Sequence, residues 1–83
     1  MSVMFVQLGG DERWTAIIVH DDDTYSFTRF HRRSAELLAK DIYELAEENG
    51  NPAVLIEITP IEGVTINRYF IDKKYPRLVS MRR

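Results

Sequence analysis

The chain has 83 residues, 13 of them acidic and 11 basic, a formal charge of -2, and no cysteine. That length is one domain's worth, enough to bury about 60–65% of the unfolded surface and to leave a stability of about 4–12 kcal/mol. The missing cysteines exclude disulfides, zinc–thiolate sites and thiol nucleophiles, and they lean towards a reducing compartment, the cytoplasm.

Positions 3–8 are a mostly apolar run with no basic leader, too short to cross a membrane, and they read as a first strand. Gly9-Gly10-Asp11-Glu12 is turn chemistry that hands the chain to a second strand over 13–20. There Trp14, Ala16 and Ile18 share one face while Thr15, Ile17 and Val19 share the other, so both faces are partly apolar and a central place in the sheet is predicted. Asp21, Asp22 and Asp23 break the run, and good strand formers resume over 24–31. Tyr25 and Phe27 alternate in phase, but Phe30 does not, which places a bulge or the end of the ladder near Thr28.

The stretch 34–49 is the one convincing helix. Ala35, Leu38, Ala39, Ile42, Leu45 and Ala46 fall in one stripe at 3.6 residues per turn, with Glu36, Lys40, Asp41, Glu44, Glu47 and Glu48 opposite. Ser34 suits the N-cap, and Asn49-Gly50 followed by Pro52 suits a left-handed stop. Beyond it, 53–59 is the most apolar strand, with Val54, Ile56 and Ile58 in phase. Pro60 to Gly63 reads as a tight turn into another strand over 64–71, making a third hairpin, and 78–81 reads as a short last strand before a frayed Arg82-Arg83. The order β-β-β-α-β-β, with an optional sixth strand, predicts a single two-layer α+β domain over 1–83: a mostly antiparallel sheet with one helix on one face. The other face must then be solvated, pair with a second copy or meet a partner.

No catalytic constellation assembles. His20 and His31 are the only histidines, the serines lie in no nucleophile elbow and no glycine-rich phosphate loop occurs, so a non-enzyme without cofactor is expected. Asp21 to Asp23 lack the alternating ligand spacing and central glycine of a calcium loop, so a solvated hairpin tip is expected there rather than a metal site.

Binding is the remaining class, and a protein partner is its first form. Leu37 interrupts the polar face of the helix beside an acidic ridge that includes Glu44 and Glu48, and Tyr25 and Arg29 are candidates on the uncovered sheet face. The plainer reading of Leu37 is local packing on the segment around Phe30 and His31. A second form is nucleic-acid binding, because Arg29, Arg32 and Arg33, with Lys73, Lys74 and Arg77, interleave bases with aromatics. In the plainer reading of these, Arg29 and Arg33 pair with helix carboxylates. A third form is a homodimer, joined through the uncovered sheet face or edge to edge through 3–8 or 64–71. In its shortness, its acidic balance, its lack of cysteine and its lack of catalytic residues, the chain resembles phage-encoded inhibitors of bacterial defence systems, anti-CRISPR proteins among them. This resemblance of profile implies an inhibitor or adaptor that acts by occupying its target.

Overall fold

The first two strands, β1 (Val3–Leu8) and β2 (Trp14–Val19), close as an antiparallel hairpin in which Met4 faces Ile18, Val6 faces Ala16 and Leu8 faces Trp14. A computed structural model describes residues 2–58 and 61–79. The turn closes through the Gly9 amide on the Arg13 carbonyl at 2.8 Å, and Glu12 takes the left-handed conformation (φ 63°). β3 (Tyr25–Arg29) adds to β2, also antiparallel, so its ladder stops one residue before the out-of-phase Phe30. At its hairpin tip the Asp22 carboxylate accepts from the Thr24 hydroxyl at 2.6 Å and the Thr24 amide at 3.1 Å. These bonds, the hydroxyl's first, hold the Asp22 carboxyl below its ordinary value. Asp22 therefore works as a turn residue.

α1 (Ala35–Glu48) begins and ends where its caps dictate. The Ser34 side chain accepts from the Leu37 amide at 3.4 Å, the Asn49 side chain donates to the Leu45 carbonyl at 2.8 Å, and Gly50 carries φ 78°. Leu38, Ala39, Ile42 and Ala46 are buried, and Ala35 and Leu45 lie at the margin of that stripe.

The largest departure from the sequence reading lies after β4 (Ala53–Ile56). Positions 64–71 are not a strand: they lie within α2 (Ile61–Asp72), which leads to β5 (Leu78–Val79). The β-branched and aromatic residues of that stretch favour strand locally, but Gly63, Ile66 and Phe70 recur at helical spacing and all three are buried. Burial of that stripe outweighs local propensity. Gly63 is correspondingly not a turn glycine. It brings the first turn of α2 against the end of the β4 segment, where a Cβ would overlap the Glu57 carbonyl oxygen. Thr59, Pro60 and 80–83, which carry parts of the expected fourth strand, turn and last strand, lie outside the described residues.

The third hairpin is thus replaced by a crossover. The sheet order is β3-β2-β1-β4-β5, antiparallel through β3, β2 and β1 and parallel from β1 through β4 to β5. The α+β class and the mainly antiparallel sheet stand as expected, and β2 is internal, but β1 is the middle strand. Edge-to-edge dimerisation through 3–8 or 64–71 is therefore excluded: the first is paired on both sides and the second is helical. The two crossovers, β3 to β4 and β4 to β5, step across the sheet in the same direction. With a common hand they set both helices on the same face. One hydrophobic cluster results, joining Met4, Val6, Ile18, Val54 and Ile56 of the sheet to Leu38, Ile42, Ile66 and Phe70 of the helices.

Four aromatics lock the helices together. The Tyr43 ring meets Tyr69, Phe70 and Tyr75 edge-on with centroids 5.6, 5.1 and 5.8 Å apart, and Phe70 meets Tyr75 at 5.0 Å. Tyr43 carried no signal in the helix pattern because it stands beside the apolar stripe rather than in it. The buried Tyr75 hydroxyl donates to the Pro52 carbonyl, and burial pushes its pKa up to about 12. The unfolded chain releases this proton near pH 10, before the folded one does, so stability is full below pH 10 and falls as pH rises towards 12. Urea midpoints measured at about pH 9 and 11 should show this fall in the wild type and a smaller one in Tyr75→Phe. That variant should also lose about 1–3 kcal/mol near neutrality, because the Pro52 carbonyl loses its donor.

Candidate functional site

The register of the five strands determines what the second sheet face displays. Phe27 pairs with Ile17, Ile17 with Phe5, Phe5 with Leu55 and Leu55 with Val79, so one apolar row crosses the whole sheet. A second row, Tyr25, Val19, Val3 and Ala53, runs beside it. Both rows point away from the helices, since the alternate residues of the same strands form the core. Phe27 is 57% exposed, Tyr25 74% and Phe5 40%, whereas the core residues next to them in β1 are essentially inaccessible. A shallow depression of about 370 Å³ lies over Phe5, Gln7, Leu55 and Glu57.

The polar border of this face is partly neutralised. Arg29 forms an exposed ion pair with Asp11 of the β1–β2 turn, not with a helix carboxylate as expected. Thr15, level with Arg29 and Gln7, is buried and donates its hydroxyl to the Gln7 carbonyl at 3.3 Å. Glu57 is used structurally: it accepts from the Leu8 amide at 3.0 Å.

The residues singled out from sequence do not converge on one surface. Tyr25 and Arg29 lie on the uncovered sheet face, whereas Leu37, Glu44 and Glu48 share the outer face of α1, in the opposite layer. Leu37 is 45% exposed on that face, while Phe30 is buried in the core. Nor do the basic residues form one patch. Arg32 and Arg33 follow β3 at the rim where α1 begins, while Lys73, Lys74 and Arg77 precede β5 at the opposite rim. A six-residue strand separates the rims, about 20 Å. Arg33 pairs with Asp41 of α1 at 2.6 Å, and Lys73 lies 5.7 Å over the Tyr69 ring. Tyr69, the aromatic beside Lys73, sits on α2, in the layer opposite the face that carries Tyr25 and Phe27.

Phe5, Ile17, Leu55 and Val79 are the surface residues that sequence reasoning passed over. Their signal was present: β1 and β2 are apolar in both phases, more than a strand with one wet face requires.

The fold and surface together define a two-layer α+β domain with helices on one side and an exposed apolar sheet on the other. Comparison with family models, with curated proteins and with solved structures finds no match for this chain. Among the described residues no group of three histidines or acids is placed to hold a metal ion, and no helix is long and apolar enough to cross a membrane.

Proposed function

We propose that the chain is a non-enzymatic protein-binding module, an inhibitor or adaptor that acts by occupancy, and that the uncovered sheet face is its contact surface. The supporting observation is the unbroken apolar row from Phe27 to Val79, bordered by Tyr25 and Val19. Exposed aromatics on a rigid sheet are typical anchors of protein interfaces. The occupant is the apolar face of a different protein. Arg29, the one cation among the register-paired residues of this face, is already opposed by Asp11, which disfavours a phosphate backbone. The cytoplasm suits a fold that uses no disulfide.

The test compares capture from host lysate by the wild type, by Phe5→Ser with Phe27→Ser, and by Leu37→Asp, each with nuclease and at high salt. The expected result is one stoichiometric protein, retained by the wild type and by Leu37→Asp and reduced at least tenfold by the double variant. All three should unfold cooperatively, since the substituted side chains are at least 40% exposed. Equal retention by the double variant would overturn the sheet-face reading. Retention lost with nuclease would favour nucleic acid, and concentration-dependent sedimentation of the wild type alone would identify a second copy as the occupant.

A further inference from the structure

A cavity of about 250 Å³ lies at the rim where both helices begin, lined by Glu12, Arg13, Trp14, His31, Arg32, Arg33, Leu38 and Glu62. Its position follows from the topology. β1, β3 and β4 run in the same direction, so their C-terminal ends share this rim, and the chain leaves it into α1 after β3 and into α2 after β4. Crevices at the carboxyl ends of parallel strands are where open α/β sheets bind ligands.

The lining carries three guanidinium groups and an imidazole against two carboxylates. Each arginine is anchored through one nitrogen: Arg13 Nε on the Phe30 carbonyl at 3.2 Å, an Arg32 terminal nitrogen on the Asp11 carbonyl at 3.0 Å, and an Arg33 terminal nitrogen on Asp41 at 2.6 Å. A guanidinium has five N–H donors, so these bonds fix the groups in place and leave donors for a ligand. Trp14, on the same wall, is 4% exposed, and among the described residues its indole N–H is the buried side-chain donor with no acceptor. That N–H is shielded from the cavity as well as from solvent, so Trp14 serves the site as a wall rather than as a donor. Glu12 lines the same cavity in a left-handed conformation that a side chain of its kind adopts at a cost.

We infer that this cavity is a binding site for one small oxyanion, a carboxylate or phosphate group, held by Arg13, Arg32 and Arg33, with Trp14 as part of its wall. Glu12 and Glu62 in the lining, with Asp41 against Arg33, balance the three guanidinium charges, so the remaining N–H donors rather than a net charge hold the anion. The two carboxylates select against a polyanionic chain, which would bring several charges to the same lining. The site is distinct from the uncovered sheet face, and neither depends on the other.

Trp14 is the sole tryptophan, so its fluorescence reports on the site directly. The experiment titrates the whole chain with inorganic phosphate and, separately, with acetate, each against chloride at the same ionic strength. A saturable change with either anion is expected, and the anion that saturates first identifies the source. Arg32→Gln with Arg33→Gln should weaken it at least tenfold with an unchanged circular dichroism spectrum. Lys73→Gln with Lys74→Gln, at the opposite rim, should leave it as it is. Glu62→Gln, which removes a repelling charge, should tighten it several-fold and decides the matter should the arginine double variant fail to fold. A response no different from chloride, or one equal in the arginine variant and the wild type, would overturn the inference.

Discussion

Gly63→Ala should destabilise the protein by about 2 kcal/mol or more, read as a lower urea midpoint at an unchanged slope. The sign is informative because two effects oppose each other. Within an ordinary exposed helix, replacing glycine by alanine gains about 1 kcal/mol. Here the added Cβ would meet the backbone of Glu57 and lie close to Ile58, and a backbone cannot rotate aside as a side chain does. The first turn of α2 must instead lift from the sheet and loosen Ile66 and Phe70 below it. An alanine variant as stable as the wild type would show that α2 does not approach β4 in this way.

Phe70→Ala is expected to cost about 3–5 kcal/mol, a large share of what a chain of this size possesses. Phe70 is completely buried and touches both Tyr43 of α1 and Tyr75 of the following turn, so its removal opens a cavity between the helices. Phe70→Leu, which keeps most of the volume, should cost clearly less. Thermal unfolding followed by circular dichroism separates the two. Equal losses would mean that ring geometry rather than filled volume holds the helices together.

The contrast between α1 and α2 shows where sequence suffices and where it does not. In α1 periodicity, Ser34 and Asn49-Gly50 agree, and the element was legible to within a residue at each end. In α2 the local preferences of Val64, Thr65, Ile66, Tyr69 and Ile71 point to strand, and the deciding stripe of Gly63, Ile66 and Phe70 has value only once a sheet lies beneath it. The same limit governs the surfaces. The need for an uncovered face followed from counting layers, yet its content depends on a strand order that places Phe5 between Ile17 and Leu55, residues 12 and 50 positions away. Charge runs misled for a related reason: Arg32-Arg33 and Lys73-Lys74 look alike in sequence, but the crossovers send them to opposite rims.

The middle position of β1 also sets the order in which the molecule can be completed. One side of β1 closes at once through the hairpin with β2, but the other waits for β4, some 50 residues later along the chain. Loop closure over such a span is the slow, entropically costly event, and parallel pairing offers no tight turn to assist it. A nascent chain that has reached only the end of α1 therefore presents a bare, apolar strand edge at its centre, where a neighbouring chain's β4 fits as well as its own. Exchange of that segment between chains is the characteristic misassembly this topology invites.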